Sequence, residues 1–332
     1  MTEATYDVVA IGNAIVDVLA KAEDDFIAAN GMTKGAMQLV FSPEDAEALY
    51  AKMGPGTEVS GGSAANTIAG MAALGSACGF IGQVADDQLG AVFAHDIRAG
   101  NIRFDTPARA GQPTTGRCLI FVSPDGQRTM NTFLGASHYL PAEALDRDMI
   151  AGSRYLYLEG YLWDPEEPRA AMRAAIDVAR GAGRKVAFTL SAEFVIDRHR
   201  AAVHELIDAG LIDVLFANDA ELKSLVETDD LEAAIAALQD KVPLLVVTLG
   251  AEGAMAITGG ERTTVTAEHV DVVVDTTGAG DLFAAGFLHG QVTGEGLERS
   301  LRLGAICAAE CIGHLGPRPL ADLKALKIEK LG

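Results

Sequence analysis

Short apolar runs alternate with amphipathic stretches along most of the chain. Val8–Ile11, Tyr155–Leu158, Val186–Leu190, Val214–Phe216 and Leu244–Thr248 are apolar and bounded by Gly, Asp or Asn, the pattern of strands buried on both faces. Between them, Thr67–Leu74, Gln88–Ala99, Pro168–Ala179, Arg198–Ala209 and Leu231–Leu238 repeat apolar residues at helical spacing. Alternation of this kind predicts an α/β fold: a mostly parallel sheet between two helical layers, a three-layer α/β/α core.

Two regions break the alternation. Ile15–Leu39 is mixed, and Ile102–Leu134 reads as strands joined by turns. Ser123-Pro124-Asp125-Gly126 lies between Cys118–Val122 and Arg128–Thr132, a hairpin signal. The expectation is a small β-sheet lid built from about residues 15–39 and 102–134 and inserted in one domain spanning 1–332. No repeat or Pro-rich linker separates the parts. The last third holds two small-residue-rich helices, Gly280–Gly290 and Leu297–Ile312, expected to pack closely.

Composition narrows the function. The 332 residues are 49% apolar, enough for a full core, and carry a net charge of -20. That charge argues against nucleic acid and anionic membranes as partners. An acidic protein that binds a phosphorylated ligand must gather positive potential locally, from backbone N–H groups or a metal ion. Cys78, Cys118, Cys307 and Cys311 form no CxxC pair and read as buried thiols, in keeping with a reducing cytoplasm. The N-terminal segment lacks the pattern of a signal peptide, and no membrane-length apolar run occurs.

The strongest chemical signal is Asp275-Thr276-Thr277-Gly278-Ala279-Gly280-Asp281, which follows the strand-like Val270–Val274 and opens a helix. The glycines let several N–H groups converge, and the helix dipole adds positive potential, so Gly278, Ala279 and Gly280 make an anion hole. Asp281 stands beside it, placed to take a proton from an attacking hydroxyl. A third fingerprint glycine and a Walker lysine are both absent. Gly61-Gly62-Ser63-Ala64-Ala65-Asn66 opens another helix, where Gly62, Ser63 and Asn66 are candidate substrate contacts. Asn13 and Asp17 follow the first strand, where ligands of such sheets bind. Asn218 and Glu221 share a helical face and offer oxygens suited to Mg²⁺, directly or through water; helix capping by Asn218 is the alternative. Thr248, Gly250 and Gly253 sit at a further strand end, fit to hold a nucleotide phosphate or simply to turn the chain.

The order Gly62, Asn66, Asn218, Glu221, Thr248, Gly250, Gly253, Asp281 resembles the ribokinase-like (PfkB) carbohydrate kinase family from about Asp7 to Pro319. GGSAANTIAGMAALGS and DTTGAGDLFAAGFL match its two signatures, and the adenosine kinase branch is the most similar. The resemblance implies a cytoplasmic, ATP- and Mg²⁺-dependent kinase with Asp281 as base, acting on a small molecule, adenosine or else a sugar. A monovalent cation such as K⁺ often assists members of the family. The resemblance further implies Gln38, Leu134 and Phe194 at the base of a nucleoside, with the lid excluding water. Arg103, Arg117 and Arg128 keep a phosphosugar open as substrate, and a non-catalytic nucleotide sensor is a remoter alternative. Monomer and homodimer are both compatible with the sequence.

Overall fold

The computed structural model describes residues 4–332. Among them, the larger sheet has nine strands, in the order Glu261–Val265, Ala254–Thr258, Leu244–Thr248, Val214–Asn218, Lys185–Thr189, Ser153–Glu159, Tyr6–Ile11, Cys78–Ile81 and Ile102–Arg103. Pairing is parallel from Leu244–Thr248 to the Ile102 edge and antiparallel at the other edge. The five expected strands are all here. Successive side chains of a strand point to opposite faces, so each strand feeds two cores. Val8 and Ala10 enter one with Tyr155 and Tyr157, while Val9 and Ile11 enter the other with Leu156 and Leu158. Helices such as Ser63–Leu74 and Gln88–Ala99 close the first core, and Glu166–Gly181 and Leu231–Leu238 close the second.

Gln88–Ala99 and Leu231–Leu238 have the bounds their periodicity predicts, fixed by Asp87 and Asp230, whose carboxylates cap the first N–H groups. Glu166–Gly181 and Glu193–Asp208 start earlier than predicted. The first turn of Glu166–Gly181 is polar, so apolar spacing carries no signal there; in Glu193–Asp208 the apolar Phe194–Ile196 is cut off from the later apolar positions by the polar Asp197–Arg200. Val270–Val274 is not a strand. Its valines find no neighbour in the sheet, whose edge is already taken by Glu261–Val265, and Val272 stays 68% exposed.

The smaller sheet has the order Met37–Leu39, Arg128–Phe133, Gly116–Val122, Ile15–Lys21 and Gly56–Gly61. The expected hairpin pairs Val122 with Arg128. Two details differ from expectation. Ile102–Arg103 joins the larger sheet, and Gly56–Gly61 supplies a strand too poor in apolar residues to be legible.

The helix that opens on the glycine motif, Ala279–Thr293, packs between Ser63–Leu74 and Gly296–Ile312. Glycines allow the approach: a Cβ on Gly286 would lie 2.5 Å from the Leu303 carbonyl oxygen, and one on Gly70 would lie 2.7 Å from Ala285. Alanine in place of helical glycine gains about 1 kcal/mol in propensity. Overpacking costs about 1–3 kcal/mol, so it wins. Gly286→Ala is therefore expected to lower the melting temperature; an unchanged or higher value would mean that this helix pair has room to spare.

Candidate active site

A cavity of about 520 Å³ opens where five parallel strands end. Asn13, Glu159, Thr189, Ala217, Asn218 and Thr248 line it from those strand ends, the usual ligand position in such a sheet. The smaller sheet covers it with one face. Ile15 and Asp17, Met37 and Leu39, Cys118 and Ile120, and Met130 and Thr132 all line the cavity, each pair two residues apart along a strand. Gln38 falls between Met37 and Leu39. It therefore points to the opposite face, where its amide bonds Asn131 at 2.6 Å, and it is not a wall of the cavity.

The motif helix begins at Gly278, which has φ of 80° and is packed so closely on Pro317 that a Cβ would sit 2.5 Å from that ring. Gly280 differs: a Cβ there would meet nothing within 4 Å. Its side toward the cavity is open for another molecule to approach the backbone. Among the described residues, the N–H groups of Gly278 and Gly280 have no acceptor within the chain, whereas that of Ala279 donates to the Thr276 carbonyl. Thus two of the three expected anion-hole donors remain free.

Asp281 lies one residue further on. Its Oδ1 accepts from the Ser63 hydroxyl at 2.6 Å and its Oδ2 from Asn66 Nδ2 at 3.0 Å. Burial lifts its carboxyl above the ordinary range, against the opposing effect of those two hydrogen bonds and of Arg318. A proton-accepting carboxylate is made more basic by this environment. The Asn66 Oδ1 is buried without a partner in the chain, an acceptor waiting for a donor.

Asn13 proves to be a bracket. Its N–H and Nδ2 both donate to Glu159 Oε1, and its Oδ1 accepts from Ser137. Glu159 Oε2 accepts from the Ala64 N–H at 2.6 Å, so one buried carboxylate ties the first strand's end to the start of Ser63–Leu74. Gly62 permits this closeness, because a Cβ on it would lie 2.1 Å from the Asn13 carbonyl oxygen. Asp17 is buried against Gly61, and its carboxylate accepts no hydrogen bond from the described residues. Arg318 donates to the Ser60 and Ala65 carbonyls and to the Ser60 hydroxyl, and its charge acts on both Asp17 and Asp281.

Arg128 reaches from the smaller sheet to the motif, with Nη1 2.6 Å from Asp275 Oδ2, both groups buried. The approach is not aligned as a hydrogen bond, so the guanidinium keeps unused donors. Arg103 is instead engaged at the surface by Asp105, Asp146 and Tyr6, and Arg117 pairs with Glu47. Neither lines the cavity.

Asn218 and Glu221 form a complete capping box: the Asn218 side chain accepts from the Glu221 N–H, and Glu221 accepts from the Asn218 N–H. Both also line the cavity. Thr248 lines it as well, while Gly250 and Gly253 do not. Gly253 serves the chain turn, with φ of 111° and no room for a Cβ beside the Val265 carbonyl. Leu134 and Phe194 line the cavity too, with Phe194 6.1 Å from the Tyr161 ring.

Residues 7–323 match the pfkB family carbohydrate kinase profile. The chain belongs to that family. It is accordingly an ATP-dependent phosphotransferase acting on a hydroxyl group. The PfkB chain is similar to the crystal structure of adenosine kinase from Sinorhizobium meliloti, at 47% identity and a TM-score of 0.91 over 98% of this chain and 99% of that one. A probable sugar kinase from Rhizobium etli is similar at 43% identity and a TM-score of 0.91, over 98% of each chain. An ATP-dependent ribose-1-phosphate kinase of Halopiger xanaduensis is 31% identical over 269 residues, 80% of this chain and 85% of its own.

Sequence reasoning did not assign Glu159, Ser191 or Arg318 to the site. Glu159 left one trace, a carboxylate ending an apolar strand; Arg318 stands between two prolines with no spacing to mark it. Asp17, Glu159 and Glu221 are each pushed up to about 7, foremost by burial. Unfolded, these groups titrate in the ordinary carboxylate range. Between the two ranges the PfkB fold holds protons that the unfolded chain has released, so their contribution to stability falls as pH rises through about 7. Glu159→Gln removes one such proton. It is expected to make the fall of melting temperature shallower between about pH 5 and pH 8, read by thermal unfolding. A slope equal to that of the parent protein would contradict the assignment.

Proposed function

We propose that this kinase transfers the γ-phosphoryl group of ATP to the 5′-hydroxyl of adenosine. One observation carries the reading. The cavity lining brings together polar groups, among them Asp281, Asp17, Ser63 and Asn66, and apolar or aromatic ones, among them Met37, Leu39, Leu134, Tyr161 and Phe194. A nucleoside has the same two kinds of surface. A free sugar would leave this apolar wall uncovered, and each hydroxyl buried against it without a partner would cost about 1–3 kcal/mol. The similarity to the Sinorhizobium enzyme supports the same choice. Two of the three arginines that kept a phosphosugar open are engaged elsewhere.

Asp17 and the free Asn66 Oδ1 receive the ribose hydroxyls. Asp281 takes the proton of the 5′-hydroxyl as its oxygen bonds to the γ-phosphorus. The bond from that phosphorus to the bridging oxygen breaks, and ADP leaves with the electron pair. The Gly278 and Gly280 N–H groups stabilise charge on the transferring group. Among the described residues no three His, Cys, Asp or Glu side chains gather into a metal site. Mg²⁺ keeps several waters and takes few carboxylates, and Glu221 and Asn218 offer it oxygens at the cavity wall. Glu221 and Asn218 would hold it through water, and it would neutralise phosphate charge. The smaller sheet acts as a lid on a single catalytic unit, excluding water as a competing acceptor.

Asp281→Asn is expected to lower kcat by roughly 10²–10⁴ while adenosine binding survives. Near-normal turnover in this variant would remove Asp281 as the base. At fixed Mg·ATP, adenosine is expected to exceed ribose and fructose in kcat/KM by roughly 10²-fold or more, the value of about 2.7 kcal/mol of base burial. Initial rates with each acceptor measure this, and a sugar that outruns adenosine would move the assignment to the sugar kinases.

A further inference from the structure

We propose that Asp164 reads the nucleobase by accepting a hydrogen bond from its exocyclic amine. This rests on the nucleoside reading of the cavity and names the group that would choose among bases.

A second cavity of about 220 Å³ shares Leu39, Thr132, Leu134 and Asp164 with the first, and contains none of the glycine-motif residues. Across the smaller sheet the register runs Asp17, Cys118, Thr132, Leu39, so Asp164, which lines the second cavity with Thr132 and Leu39, stands on the side of the main cavity away from Asp17. With a 5′-hydroxyl at Asp281, the sugar lies between, and the far edge of the base comes to Asp164.

The carboxylate is held in place. Its Oδ2 accepts from Arg198 Nη1 at 2.8 Å, and its Oδ1 lies 2.8 Å from His199 Nε2. The other nitrogen of that ring, Nδ1, lies 3.1 Å from Arg169 Nη1. A guanidinium only donates, so Nδ1 accepts, and Nε2 carries the proton given to Asp164. Helix Glu193–Asp208 departs from helical geometry at His199, with φ of -127° and ψ of 16°. Arg198 also lies over the Phe194 ring, 5.3 Å from its centre, which joins the carboxylate's support to the aromatic wall of the slot.

Two donors thus fix the carboxylate and leave one lone pair on each oxygen, since each oxygen accepts two hydrogen bonds. What this end of the slot offers a ligand from Asp164 is acceptors alone. An amine on the base edge satisfies them. A carbonyl oxygen in the same place would set acceptor against acceptor.

The test compares adenosine with purine riboside, which lacks the 6-amino group and is otherwise the same, in the parent protein and in Asp164→Ala. The parent is expected to favour adenosine in kcat/KM by roughly ten- to a hundredfold, the worth of a hydrogen bond to a charged group. In the variant that preference is expected to fall close to one, because adenosine loses and purine riboside does not. Unchanged turnover of purine riboside also reports that the variant is folded. A parent without the preference, a variant that keeps it, or a variant that loses both substrates equally overturns the assignment of Asp164 while leaving adenosine as substrate. If the parent phosphorylates neither compound, the nucleoside reading fails and this assignment falls with it.

Discussion

Two helix N-termini point at one carboxylate, and the site is arranged around that meeting. Ser63–Leu74 and Ala279–Thr293 start beside each other, and each brings the positive end of its dipole. Asp281 belongs to the second helix and accepts from Ser63 and Asn66 of the first. The contact joins residues more than two hundred positions apart, so it forms only once the core that both helices share has folded. The glycines between these helices set how near they come: Gly70 against Ala285 and Leu282 leaves no space for a side chain.

Charge is the second constraint. Asp17, Glu159, Glu221 and Asp281 crowd one cavity, and burial raises the proton affinity of all four. Arg318 opposes the rise at Asp17 and Asp281, and Arg128 opposes it at Asp17. A cavity so acidic does not attract a nucleotide through side-chain cations. In the proposed reaction, the free backbone N–H groups at Gly278 and Gly280, together with a metal ion on the phosphates, would answer that need. Glu159 has a different part. Fully buried, with three hydrogen bonds from Asn13 and Ala64, it fixes the walls on which Asp17 and Ser63 depend.

Much of this was legible in the sequence because it has a period or a motif. The five central strands are continuous apolar runs, and both glycine-rich signatures sit where helices begin. Asp281, Ser63 and Asn66 were named from those signatures, and the structure brings them into contact. What failed to show was set by tertiary geometry. Val270–Val274 has strand composition, yet the sheet had no place left for it. Gly56–Gly61 is a strand because Ile15–Lys21 pairs with it, not because of its own residues. Gln38 was misplaced by one step of a two-residue period, which carries a side chain to the other face. Arg318 reaches the site only through the fold, since its partners Ser60 and Ala65 lie in the first fifth of the chain.

The central claim is that a nucleoside lies in the cavity with its 5′-hydroxyl at Asp281. The position of the new phosphate tests this most directly. Adenosine incubated with the protein and Mg·ATP should give one nucleotide product, with its phosphorus coupled to the 5′ protons in a two-dimensional NMR correlation, and ADP in equal amount. A phosphate on the 2′ or 3′ oxygen, or ADP formed without any nucleotide product, would contradict the account.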